Sequence, residues 1–183
     1  MMRLALSLSL LLFGASPAIG AETELPPCHA AFGRLLSNEV FARYPAPAPS
    51  RPSNPVSPNV SRGTAHLYRT IIREGAKQPP NFAGHYVLIH IGCGAATVCP
   101  AILDVNSGEV FFPPQLRNAS ALILDAGNAN VETLNYRKDS RLLIVFGTPN
   151  EDARRAGMSY YLWQSDKLSL IRFVPTAKVC GTH

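Results

Sequence analysis

From Pro79-Pro80 onward the chain stops repeating apolar residues every three or four positions and begins to alternate them. That change of period constrains the fold more than any other feature. Eight stretches with strand character follow, at 85–92, 98–105, 109–112, 121–125, 131–136, 141–147, 159–164 and 168–174. Their connections carry Asn106-Ser107-Gly108, Lys138-Asp139-Ser140 and Ser165-Asp166, which is turn chemistry of the kind that joins antiparallel neighbours. Parallel pairs would need crossovers of a dozen residues or more, so the spacing predicts an antiparallel meander.

Several strands are apolar on both faces. In 141–147 one alternating set is Leu143 and Val145, and the other is Leu142, Ile144 and Phe146. A sheet with one wet face would alternate more cleanly, so a second layer has to cover it. Two helices upstream are the available cover. Phe32, Leu35, Leu36 and Val40 predict one over 29–43, and the Leu67/Ile71 and Tyr68/Ile72/Ala76 rows predict another over 64–77, with Thr64 as its N-cap. Between them, 45–58 holds six prolines in fourteen residues, which excludes helix and central strand and predicts an extended linker or surface-hugging loop. The fold expected is α+β: a curled antiparallel sheet with two N-terminal helices packed on it.

Residues 1–20 have the pattern of a secretory signal peptide. Arg3 supplies the positive start, Leu4 to Phe13 the apolar stretch, and Ala18-Ile19-Gly20 the small cleavage residues. The apolar run is too short to span a bilayer, and no second stretch is long enough, so no membrane span is expected after cleavage before Ala21. The domain plan is then a signal peptide at 1–20, a leader and helix at 21–44, the Pro-rich segment at 45–60, and the helix-plus-sheet domain at 61–183. Periplasmic or secreted localisation follows. An oxidising compartment makes two disulfides the natural state of Cys28, Cys93, Cys99 and Cys180. Four cysteines allow three connectivities. Cys93–Cys99 is favoured because five intervening residues make a loop that two adjacent strands can close, which leaves Cys28–Cys180 to tie the ends.

The ordered set Pro80-Asn81-Phe82-Ala83-Gly84-His85-Tyr86, Gly92-Cys93-Gly94, Cys99 and Asp104 to Val110 resembles a family of uncharacterised secreted bacterial proteins. In that family a Pro-Asn-Phe-Ala-Gly-His-Tyr stretch precedes a Gly-Cys-Gly turn and a second nearby cysteine. Asp139 to Leu143 and Tyr160 to Trp163 fit the same pattern, and the likeness runs over about 64–174. Ile91 stands where the family has an aromatic, and the Cys93–Cys99 loop is longer. The resemblance implies an exported β-rich domain and carries no activity with it.

Most site chemistries lack their signposts. There is no Gly-x-Ser-x-Gly elbow, no phosphate-cradling glycine loop and no Cys-x-x-Cys pair. His85, His90, Cys93 and Cys99 lie close in sequence, yet a separation of five puts the two histidines on opposite faces of a strand, and oxidised cysteines offer no thiolate. No metal or cofactor is expected. The pI of about 9.2 comes from basic residues scattered in pairs at most, so nucleic acid is not the expected partner. His85, placed on one strand face with Val87, Ile89 and Ile91, and Asn81, in the loop before it, are the two candidate functional residues. No catalytic set is expected. The leading reading is a non-enzymatic binding or interaction module for an envelope protein or polymer, and the alternative is an exported hydrolase with a site near His85. A deep pocket joining His85 to a carboxylate or nucleophile would favour the hydrolase. An exposed apolar surface would favour binding.

Overall fold

The computed structural model describes residues 33–48, 56–121 and 132–180. Three short helices come first: α1 (Asn38–Ala42), α2 (Gly63–Leu67) and α3 (Arg69–Gly75). Eight strands follow: β1 (Tyr86–Gly94), β2 (Thr97–Asp104), β3 (Val110–Phe111), β4 (Ala119–Ser120), β5 (Leu134–Tyr136), β6 (Leu142–Pro149), β7 (Gly157–Gln164) and β8 (Lys167–Pro175). A last short helix, α4, spans Thr176–Cys180. Every strand pair is antiparallel.

The order β1-β2-β4-β6-β7-β8 departs from a simple meander. β4 pairs the start of β2 with the end of β6, while β3 holds the other half of β2 and β5 the other half of β6. The sheet is therefore two hairpin groups hinged on β4. Pro100 sits in β2 between the stretches that β4 and β3 occupy, facing a gap in the ladder. There its missing N–H costs no strand hydrogen bond.

The apolar alternation resolves into three core layers. Leu88, Ile102, Leu143, Val145, Tyr161 and Trp163 point inward and pack between the two groups. Leu142, Ile144, Phe146, Met158 and Tyr160 point out from β6 and β7, and Phe41 of α1 covers them. Val87, Ile89, Ile91, Ala101 and Leu103 point out from β1 and β2, under Ile72 of α3 and Val60. Each outer face thus has its own helical cover.

The helices are shorter than the periodicity predicts. The first stretch is helical at 33–35, breaks at Leu36-Ser37 and resumes as α1, while 29–32 lie outside the described residues. The second is interrupted at Tyr68 (φ −100°, ψ 19°), which divides α2 from α3. The interruption separates the two apolar rows: Ile72 is fully buried, while Leu67 and Ile71 stay 70% and 41% exposed. The described ends of the Pro-rich stretch lie along the domain. The Ala46 N–H donates to the Asp139 carbonyl at 2.9 Å, and the Asn59 N–H donates to that of Gly108 at 2.7 Å.

Where β4 meets β6 the backbones approach so closely that only glycine fits. Gly147 has φ +125°, and a Cβ there would lie 2.2 Å from the Ser120 carbonyl oxygen. The Cys93–Cys99 disulfide is formed, with Cα atoms 5.9 Å apart, and it closes the β1–β2 hairpin at the bulge that Cys93 makes. The expected Cys28–Cys180 bridge falls outside the described residues, as does most of the strand expected at 121–125.

Candidate functional site

Asn81 and His85 flank a tight turn with Ala83 (φ 45°) and Gly84 (φ 90°) at its centre. Asn81 acts on the backbone of β1. Its side-chain carbonyl accepts the Leu88 N–H at 2.8 Å, and its amide donates to the Leu88 carbonyl at 3.2 Å. One side chain thereby does the work of a paired strand residue. Next to it, the Ala83 and Gly84 N–H groups donate to the carbonyls of Arg137 and Lys138, which follow β5. The segment 81–84 is a patch laid between the β1 edge and the chain leaving β5.

His85 lies in the turn before β1, not within the strand. Its Nε2 is 3.6 Å from Asp104 Oδ1, and its ring lies 4.2 Å from the Tyr86 ring, centroid to centroid. Asp104 is already engaged: one oxygen accepts the Asn106 N–H at 2.8 Å and the other the Ser107 hydroxyl at 3.0 Å. That carboxylate organises the β2–β3 turn. Tyr86 packs edge-on against Trp163, and its hydroxyl donates to Asp166 at 2.9 Å. Burial, with help from that acceptor, pushes its pKa up to about 12.

Past Asn81 neither edge is paired among the described residues. His90 faces Pro100 across the β1–β2 pair, and proline has no N–H to give, so the pair is not hydrogen-bonded. The His90 N–H and C=O therefore point away from β2, as those of Leu88 do, and they have no hydrogen-bond partner among the described residues. On the other side, the bond from the Phe146 N–H to the Thr133 carbonyl sets the alternation of β5. It places the backbone groups of Leu134 and Tyr136 on the edge away from β6. An open groove of about 830 Å³ is lined by His90 of β1 and by Leu134 and Tyr136 of β5, together with Pro80, Asn81 and, from the N-terminal helical region, Leu36 and Phe41.

Two aromatic rings line the groove, His90 meeting Tyr136 edge-on with centroids 5.6 Å apart, and Tyr136 in turn packs edge-on against the fully buried Phe82 at 6.1 Å. The groove rim is mixed in charge, with Glu132 and Asp139 against Arg137 and Lys138. His90 is open to solvent on one side, yet the protein around it disfavours its charged form and lowers its pKa, with the Glu132 carboxylate pulling the other way. Burial likewise raises the pKa of the Tyr136 phenol. Among the described residues no three His, Cys, Asp or Glu side chains converge as metal ligands would.

Of the two candidates read from sequence, Asn81 borders the groove and His85 lies away from its lining. His90 and Tyr136 are the residues missed. The signal for His90 was present, since a proline in the opposing strand fixes which way an edge residue turns its backbone. Tyr136 gave none, because its meeting with β1 depends on how the sheet curls. Compared with family models, curated proteins and solved structures, the chain matches none of them.

Proposed function

We propose that this is an exported, periplasmic or secreted binding module that takes up an extended segment of an envelope protein along the free edge of β1. Export is supported by the signal-peptide pattern at 1–20 and by the Cys93–Cys99 disulfide, which persists in oxidising compartments. Among the described residues no helix is long and apolar enough to cross a membrane. The observation that carries the binding reading is the outward pair of backbone groups on His90, facing a groove with a second strand edge across it. An unpaired edge is a template for another strand, and main-chain bonds to such an edge are a common mode of peptide capture. The chain itself supplies the pattern, since 81–84 fills the adjoining part of the same seam through equivalent bonds.

The hydrolase reading has the His85–Asp104 approach in its favour. Asp104 is committed to its turn, however, and the groove lies elsewhere. Peptides selected from a displayed library against the purified protein test the binding reading, read by amide shifts in isotope-labelled protein. Shifts should follow His90, Gly92, Leu134 and Tyr136. His90→Pro should abolish binding, because it deletes the outward N–H while leaving the β2 ladder intact. His90→Ala should retain it. Shifts centred on His85, or capture indifferent to His90→Pro, would overturn this assignment.

A further inference from the structure

A second cavity lies on the far hairpin, beneath β7 and β8. It has a volume of about 260 Å³ and is more enclosed than the groove. A bulge shapes it. The β7–β8 register shifts so that Tyr160 faces Arg172 and Tyr161 faces Leu170, which leaves Ile171 as the extra residue and sets Leu170 over Tyr161. Pro149 forms a second apolar wall.

The polar groups are few, and most are occupied. The Asn150 amide donates to the Pro114 and Gln115 carbonyls, and its oxygen accepts the Arg117 N–H. Asp152 is held by the Arg154 guanidinium through two contacts of 2.9 and 3.1 Å. Arg155 remains. It is half-buried and lines the cavity beside Gln115. No carboxylate among the described residues lies within salt-bridge distance of it, although its charge adds to that of Arg154 in lowering the pKa of the nearby Asp152. Beneath Arg155 lie the Tyr161 and Ser159 hydroxyls, both fully buried and both without a hydrogen bond of good geometry. Arg155 and Ser159 sit close enough to lower the Tyr161 pKa against the larger upward push of burial. Buried hydroxyls left in this state are uncommon and carry a desolvation cost.

We propose that this cavity binds a small aliphatic monocarboxylate, with its carboxylate on Arg155 and its alkyl chain between Pro149 and Leu170. The guanidinium fork matches a carboxylate bidentately. Asp152 on the rim opposes a dianion, which argues against phosphate. The apolar walls want carbon, and the volume lies just under the range of drug-sized ligands, so only a short chain fits. Nothing in this depends on the seam.

The test is titration of the isotope-labelled full chain with butyrate, with 1-butanol and inorganic phosphate run in parallel. Butyrate should give saturable shifts at Leu170, Tyr161 and Arg155, and neither butanol nor phosphate should. Arg155→Gln should weaken butyrate binding by at least about tenfold. Arg155→Lys, which keeps the charge and loses the fork, should fall between. Absence of saturable butyrate shifts in the unaltered protein would overturn the proposal, and so would equal binding of butanol or phosphate. Undiminished binding in a folded Arg155→Gln variant would do the same.

Discussion

At the scale of single residues, the two polar side chains in the turn before β1 have opposite weights. Asn81 satisfies both backbone groups of Leu88, and nothing else among the described residues reaches them. Asn81→Ala leaves that N–H and C=O bare on a half-buried edge, and should cost about 1 to 3 kcal/mol. His85→Ala is different. Asp104 keeps its bonds to Asn106 and Ser107, and at 3.6 Å the His85 ring makes no hydrogen bond whose loss would leave that carboxylate unsatisfied, so a loss under about 1 kcal/mol is expected. Urea unfolding followed through the lone Trp163 measures both. An Asn81→Ala protein as stable as the parent would contradict the edge-patching role, and a loss for His85→Ala above that of Asn81→Ala would reverse the assignment. The sequence made Asn81 legible as a backbone-bonding loop residue. Seeing which backbone it bonds required the chain to return on itself at Leu88. His85 read as a strand residue because Tyr86, Val87 and Leu88 continue the apolar run, and the left-handed Ala83 and Gly84 that delay the strand leave little trace in composition.

At the scale of elements, the β1–β2 hairpin is the best-specified unit in the molecule. Cys93–Cys99 closes a loop of a few residues, for which chain entropy gives about 2 kcal/mol of stabilisation. The double variant Cys93→Ser/Cys99→Ser should lose about that much and keep its fold, because Val87–Leu103 and Ile89–Ala101 pair independently of the bridge. Matched unfolding curves with and without reductant check it, and global unfolding on reduction would show that the bridge holds more than the hairpin. Seven of the eight expected strands overlap a strand of the sheet, β4 was not anticipated, and the stretch expected at 121–125 lies almost wholly outside the described residues. The strand order was not legible, because β4 is two residues long and its pairing with both β2 and β6 rests on Gly147 and on the curl of the sheet. Helix lengths failed for a related reason. Periodicity marks which residues can face a core, but Tyr68 breaks the helix where the surface beneath it, Val87 and Ile89, needs only one row.

At the scale of the whole molecule, the sheet curls around an inner core and, among the described residues, leaves a seam between β1 and β5, with helices covering the outer faces. His90 sits on that seam, and its surroundings link stability to pH. Its folded pKa lies below the usual 6.5, so the unfolded chain binds a proton more readily in the window between the two values. The His90 contribution is therefore complete above about 6.5 and declines as pH falls through that window toward the folded value. Unfolding midpoints at pH 7.5 and 5.5 should differ less in His90→Gln than in the parent, and an equal difference would place the linkage elsewhere. The seam is also where a partner strand would bind, which requires its β1 edge to be free. Amide hydrogen exchange on the unliganded protein reads it residue by residue. The Ile89 and Ile91 N–H groups point into the β2 ladder and should be strongly protected, while that of His90 should exchange at close to the rate of an unstructured amide. A His90 amide as protected as its two neighbours would mean the edge is already paired, and would contradict the open seam directly.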